Sequence, residues 1–271
     1  MNAQFDSRAA LRLPAADHLI SFNGASLRQF KAARAARYES VGLMSATSHM
    51  RRVTRQYALA HRQYPLERSW AGHLLRRNLR EYERADRIYV SSKHAWRSFI
   101  EEGFPEHRLS LFPLTPDPRF EVQRGSQAAG TFDIVYVGSL SVAKGVPLLV
   151  DAVRRVAGAD IRLLLVGGWG TRGMRRFIAE ACAQDPRIAV CRGDPLPRLR
   201  GARLYVHPSY EDGFGYAPAE ALACGVPVIV SESTGMKELI DPHNGLIVPT
   251  GALDPLCEAI EAAHRGEILG G

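Results

Sequence analysis

The sequence predicts an α/β fold built from two parallel-sheet domains, and three observations carry that prediction. Apolar runs of strand length alternate with helix-length segments throughout. One stretch rich in Pro, Gly, Ser and Gln interrupts the alternation between Phe112 and Gly130. The glycine-bearing loops follow apolar runs, where open parallel sheets collect their ligands. A chain of 271 residues with 46% hydrophobic side chains can supply one large or two ordinary cores. The predicted division is a partial first domain at 1–115, a linker at 116–130 and a second domain at 131–271.

In the first domain, His18 to Phe22 reads as a strand, Ala25 to Arg37 as a helix and Val41 to Met44 as a strand. Leu66 to Arg84 reads as one long helix with Trp70, Leu74, Leu75 and Leu79 on its apolar side. Arg87 to Val90 is the next strand, Ser91 or Ser92 caps a helix running to Glu102, and Leu109 to Phe112 is the last strand. Pro113, Pro116 and Pro118 then mark the hinge. The second domain restarts with the strand Phe132 to Val137, followed by Gly138 and, after Lys144-Gly145, a helix from Pro147 to Val156. Ile161 to Val166 is a strand ending in Gly167-Gly168-Trp169-Gly170, and Arg172 to Ala183 is its helix. Ile188 to Cys191, Leu204 to Val206, Val226 to Val230 and Leu246 to Val248 supply the remaining strands.

Composition narrows the function. The net charge of +7 is unevenly placed: residues 1–125 carry 21 Lys and Arg against 12 Asp and Glu, whereas residues 126–271 carry 14 against 16. The basic half accommodates either a solvated surface or peripheral contact with an anionic membrane. No zinc finger, RNA-recognition sheet motif or helix-turn-helix signature accompanies the charge, so nucleic acid is not an expected partner. Cys182, Cys191, Cys224 and Cys257 show no CxxC spacing, which argues against a zinc site or disulfide framework and for a reducing, cytoplasmic setting. No run approaches the roughly 20 apolar residues of a membrane span.

The run His207 to Pro227, HPSYEDGFGYAPAEALACGVP, is the chemical centre of the sequence. Asp212, Gly213, Phe214 and Gly215 cannot continue the preceding strand, and Pro218 suits the first position of a helix reaching Cys224. The backbone N–H groups of Gly215, Tyr216 and Ala217 would then open an anion site at the helix start. Asp212 in the loop and Glu220 in the first helical turn are acceptors beside that site, which suits a ligand bearing both phosphates and hydroxyls, a sugar phosphate. Dipole complementation by Glu220 and an Asx turn at Asp212 are the competing structural readings. Lys144 becomes a phosphate ligand if its loop reaches the same place.

Several ordered stretches, FDIVYVGSLSVAKGV, LLLVGGWG, HPSYEDGFGYAPAEALACGVPVI and ESTGMKELIDPHNGLIVP, resemble the donor-binding domain of group 1 (family 4) glycosyltransferases of GT-B architecture. ADRIYVSSKHAWRSFIEEGFPEHRLSLFPLTPDPRF is similar to the later part of that family's acceptor domain. The resemblance implies two Rossmann-like domains, the first incomplete, and a retaining transferase using a nucleotide diphosphate sugar without a metal or other cofactor. Two acidic residues with seven positions between them serve the donor in this family, a spacing met by Asp212 and Glu220. Glu220 would then bind the ribose and Asp212 the transferred sugar. Gly138, Ser139, Gly167, Gly213, Phe214, Gly215, Tyr216 and Ala217 would line the donor, and Lys144 would neutralise the departing diphosphate. His49 falls where the family often has a histidine reaching the donor sugar.

The departures are specific. Asp212 stands where Glu is commoner, with Glu211 beside it as the alternative acid. Ser139 replaces a basic residue, so phosphate binding would lean on backbone amides and arginines such as Arg172. The opening of the acceptor domain is not matched, which implies exposed sheet edge and apolar surface on the first domain and a role for a partner chain. The expected acceptor is a hydroxyl of a glycan, a lipid-linked sugar or a small molecule. The alternative function is a nucleotide-sugar-binding module without transfer activity of its own.

Overall fold

A computed structural model describes residues 2–122 and 130–267. Their contacts divide the chain into two compact units, residues 1–55 with 70–114 and residues 56–69 with 115–271. The predicted boundary at 115 therefore misses one exchange: residues 56–69, expected in the first domain, make their contacts within the second. Of the predicted linker at 116–130, residues 123–129 lie outside the described residues.

The first unit is a four-stranded parallel sheet in the order β1-β2-β3-β4, formed by His18–Phe22, Ser40–Ser45, Arg87–Val90 and Leu109–Leu111. Its helices are α1 (Asn2–Ala10), α2 (Leu27–Ala35), the start of α3 (Met50–Gln63), α4 (Ala71–Arg84) and α5 (Lys93–Glu101). Because the strand order never reverses, right-handed crossovers place the connecting helices on one face. Burial follows that rule. Val41, Leu43, Ile88 and Val90 are fully buried, while Ile20 and Phe22, alternating with buried Ser21 on β1, are 56% and 65% exposed.

The helix predicted over Leu66 to Arg84 begins only at Ala71, as α4; residues 66–70 belong to the connection that follows α3 and Pro65. The inner side of α4 also differs from the expected leucine stripe. Ala71, Asn78, Glu81 and Tyr82 are its buried residues, Leu74, Leu75 and Leu79 are half-buried, and Trp70 is 47% exposed. The reason is a polar anchor: the Glu81 carboxylate accepts the backbone N–H groups of Gly24 and Ser26 and is paired with Arg77. A buried carboxylate with such partners satisfies the loop that starts α2. Sequence periodicity, which counts apolar residues only, reads such a face as solvated. The helix after β3 behaves as predicted, with the Ser92 hydroxyl accepting the Ala95 N–H at 3.0 Å.

The second unit is a six-stranded, all-parallel sheet in the order β10-β9-β8-β5-β6-β7. Its strands are β5 (Phe132–Val137), β6 (Ile161–Val166), β7 (Ile188–Cys191), β8 (Leu204–His207), β9 (Val228–Ser231) and β10 (Gly245–Val248). The helices α6 (Val146–Arg155), α7 (Arg172–Gln184), α8 (Leu196–Gly201), α9 (Tyr216–Ala223) and α10 (Leu253–His264) connect or follow them. Strands β8 and β9 are wholly buried and β5 is buried over Ile134, Val135 and Tyr136, as a parallel sheet covered on both faces requires. Chain order reverses at β5: β6 and β7 extend one way, and β8, β9 and β10 the other. The connections leaving β5 and β8 therefore run to opposite sides of the sheet, which makes their carboxyl ends a topological switch point, the position where open parallel sheets collect their ligands.

Candidate functional site

The loops at this switch point are 138–145, which leaves β5, and 208–215, which leaves β8. They are joined directly, since the Tyr210 N–H donates to the Ala143 carbonyl at 3.0 Å. The second loop is fixed on its other side as well. Asp212 donates its N–H to the Ser233 carbonyl at 2.9 Å and accepts from the Gly235 N–H at 2.9 Å. At Gly215 the chain turns into α9 with φ of +95°, and a Cβ there would stand 2.8 Å from Thr234 Cγ2. Only glycine fits both the angle and the space.

Helix α9 begins at Tyr216, two residues before the expected start. Pro218 is thus its third residue, still within the first turn where a missing N–H breaks no helical bond, and Glu220 lies in the second turn rather than the first. The N–H groups of Tyr216 and Ala217 have no intrahelical acceptor and aim out of the helix start, the positive end of its dipole.

Charge converges on this place. Lys144 Nζ lies 2.6 Å from Asp212 Oδ2, and His207 Nε2 lies 3.0 Å from the same oxygen. Burial alone would raise the Asp212 pKa, but Lys144 and His207 together hold it well below the usual carboxylate range. Burial pulls Lys144 down, yet Asp212 and Tyr57 outweigh it and leave the ammonium above its ordinary value. Burial also lowers His207, opposed by Asp212, so the ring is neutral and its Nε2 proton goes to the carboxylate. The ring stacks on Tyr136 with centroids 5.9 Å apart and an interplanar angle of 6°. Glu220 is half-buried, and burial raises its pKa against the opposing charge of Arg119.

The other predicted residues fall as follows. Gly138 and Gly167 end β5 and β6 and continue the ladder, donating to Val166 and Cys191 carbonyls at 3.0 Å each. The Ser139 carbonyl accepts the Tyr136 hydroxyl at 2.9 Å. Gly213 and Phe214 are buried within the turn, and the Phe214 carbonyl accepts the Met236 N–H at 2.6 Å. Glu211 is 2% exposed, whereas Asp212 is the acid that meets Lys144. Arg172 is exposed at the first position of α7. His49 belongs to the first unit, where its ring packs against Tyr82 and Phe99 with centroids 5.0 Å away in both cases. Burial lowers its pKa to about 4, so it is a neutral packing residue in that unit.

Sequence reasoning assigned no role to His207, Tyr57 or Glu67. His207 carries a local signal, a titratable residue ending an apolar strand at its carboxyl end. Tyr57 is 4% exposed with its pKa raised to about 12, chiefly by burial; among the charged groups that bear on it are Lys144, Asp212 and Glu211. It comes from a segment far upstream in sequence and has no local signal. Among the described residues no group of three or more His, Cys, Asp or Glu side chains could hold a metal ion.

The second unit is a doubly wound parallel sheet in which a cation and a carboxylate, Lys144 and Asp212, meet at the switch point beside the start of α9. With its two parallel sheets the molecule has the GT-B architecture. Residues 131–265 match the model of the glycosyl transferases group 1, and the chain belongs to that family through its second unit. It is 34% identical over 146 residues to a D-inositol 3-phosphate glycosyltransferase of Mycobacteroides abscessus, covering 50% of this chain and 31% of that protein. It is 29% identical over 147 residues to the capsular polysaccharide biosynthesis glycosyltransferase CapM of Staphylococcus aureus, covering 51% and 38% respectively. The chain thus spans less than half the length of these relatives. Its fold resembles Anabaena Alr3699/HepE, solved in complex with UDP-glucose, with a TM-score of 0.74 at 18% identity over 98% of this chain and 72% of that one.

Proposed function

We propose that the second unit binds a nucleoside diphosphate sugar and that the protein is a retaining glycosyltransferase, moving the sugar to a hydroxyl of a glycan, lipid-linked or small acceptor. The observation that carries this reading is the contact of Lys144 with Asp212 at the switch point. It sets a cation for phosphate and an acceptor for hydroxyls side by side. The sugar-transferring relatives and the UDP-glucose bound by the Anabaena protein support the same ligand class.

In this reading the diphosphate lies on the N–H groups that open α9, and Glu220 accepts the ribose hydroxyls. Arrival of the phosphates draws the Lys144 ammonium from Asp212. The Oδ2 so released accepts a sugar hydroxyl while His207 continues to donate to it and fixes its direction. Gly138, Ser139, Gly167, Gly213 and Phe214 shape the backbone around the donor. As the bond to the sugar breaks, negative charge grows on the diphosphate, and Lys144 and the helix start stabilise it where it develops. Positive charge for this step comes from the protein alone, and the proposal calls for no metal.

The basic excess of the first half suits peripheral contact with an anionic membrane on the cytoplasmic side, where a lipid-linked acceptor would be met. Among the described residues no helix is long and apolar enough to cross a membrane. The test of function is donor turnover by Glu220→Ala. Loss of turnover in a folded variant is expected; transfer at the wild-type rate would remove the assignment.

A further inference from the structure

We propose that Glu67 is a positioning residue of this site, holding the loop that carries Lys144 in the conformation that receives a diphosphate. The inference rests on the donor reading given above. Glu67 lies in the stretch 56–69, which joins the second unit although it stands between two helices assigned largely to the first half of the chain.

Its carboxylate is nearly enclosed, with the side chain 7% exposed, and both oxygens are used. Oε1 accepts the Val142 N–H at 2.8 Å, and Oε2 accepts the Thr171 hydroxyl at 2.8 Å. Val142 sits two residues before Lys144. Thr171 is the N-cap of α7, its hydroxyl accepting the Met174 N–H at 3.3 Å. One carboxylate therefore ties the loop after β5 to the start of the helix that follows β6. His61 Nε2 stands 4.0 Å from Oε1.

The backbone around Glu67 is seated with the same closeness. A Cβ on Gly173 would stand 1.8 Å from the Leu66 carbonyl oxygen, so α7 approaches this stretch at a glycine. The Tyr64 hydroxyl donates to Asp151 of α6 at 2.8 Å, and the Tyr210 hydroxyl donates to the Gln63 side chain. Residues 63–67 thus touch both loops of the switch point, one through Val142 and the other through Tyr210. Within the 138–145 loop, the Lys144 N–H donates to the Ser141 hydroxyl at 3.4 Å, a long bond, so the direction of the lysine depends on how the turn itself is held. Fully buried Val142 has its N–H satisfied by Glu67, a charge-assisted bond stronger than a neutral one. Without it a buried donor is orphaned two residues from Lys144, and the turn must shift to find water. Misplacing a positioning group by about an ångström lowers rate or affinity by one to two orders of magnitude.

The experiment is a double-mutant cycle in the full chain, with Glu67→Ala, Lys144→Ala and both together. Calorimetry with UDP, GDP and ADP as probes reads the affinity, and circular dichroism melting confirms the fold. Glu67→Ala should weaken the bound nucleotide on the order of tenfold, about 1.4 kcal/mol. In the Lys144→Ala background it should weaken it no further, because its effect passes through that lysine. Additive losses, or unchanged affinity in Glu67→Ala, would overturn the inference while leaving the donor reading intact. Failure of the wild type to bind any of the three nucleotides would overturn the donor reading and this inference with it. Should Glu67→Ala not fold, Glu67→Gln, which removes the charge and turns one acceptor into a donor, and Thr171→Val, which removes the Thr171 arm, carry the same cycle.

Discussion

Replacing Lys144 by methionine keeps most of the unbranched side chain and removes its charge, leaving the Asp212 carboxylate, 19% exposed, with His207 as its remaining side-chain partner. At 2.6 Å the pair has a gross attraction of about 6 kcal/mol for an effective dielectric constant of about 20. Desolvating both ions offsets most of it, so the expected coupling is about 1 to 3 kcal/mol. Urea denaturation of the wild type, Lys144→Met, Asp212→Asn and the double variant measures that coupling directly. The pH dependence adds a signed check. The folded Asp212 pKa is depressed, so its contribution is fully present above the unfolded carboxylate value of about 3.9 and is lost as pH falls below it. In Lys144→Met the depression is smaller and less stability is lost in that acid range. A coupling below about 0.5 kcal/mol, or an unchanged acid limb, would refute the view that these groups form one electrostatic unit.

Other expectations follow from single positions. His49, depressed from 6.5 to about 4, stays neutral in the fold while the unfolded chain takes up a proton, so stability falls between pH 6.5 and 4 by on the order of 2 kcal/mol. His49→Gln should flatten that limb in denaturation curves taken across the range. Gly145 has φ of +71°, and a Cβ there would stand 2.0 Å from the Pro208 carbonyl oxygen; Gly145→Ala should lower stability by about 2 to 4 kcal/mol in urea melts. Phe22→Ser on the open face of the first sheet should change stability by no more than about 0.5 kcal/mol, whereas Leu43→Ala on the covered face should lower it by about 2 to 5 kcal/mol. Equal losses at these two positions would contradict the one-sided packing.

Much of this architecture was legible in the sequence because buried parallel strands write their pattern locally. Phe132 to Val137, Ile161 to Val166, Ile188 to Cys191 and Arg87 to Val90 are mainly apolar runs, three of them with a single charged residue near the start, and the structure gives the same limits. The helix over Met50–Gln63 was not read, although its buried residues Met50, Val53, Tyr57 and Ala60 recur at helical spacing; the arginines between and beyond them, Arg51, Arg52, Arg55 and Arg62, make charge more conspicuous than the narrow stripe. A different cause hid the inner face of α4, where Asn78 and Glu81 are buried by hydrogen bonding rather than by hydrophobicity. Short loops at the switch point could be read from glycine and acid spacing; the contact of Lys144 with Asp212 at 2.6 Å could not, because it joins loops far apart in sequence. Glu67 could not be read in this way. Its partners, Val142 and Thr171, lie far along the chain, and no motif around Glu67 records their approach.

The exchange of residues 56–69 between the units has the same origin. Composition changes at Pro113 to Pro118, where the predicted linker lies, but nothing comparable marks Gln56 or Ser69. Side-chain bonds decide the matter: Gln63, Tyr64 and Glu67 all find their partners in the second unit.

The central claim is that the loops 138–145 and 208–215, with the start of α9, bind a nucleoside diphosphate. Calorimetric titration of the full chain with UDP, GDP and ADP, repeated on Glu220→Ala, tests it most directly. The account predicts saturable binding of one of these nucleotides to one site per chain and a loss of at least about tenfold in affinity in the variant. Absence of binding by all three, or binding indifferent to Glu220, would contradict it.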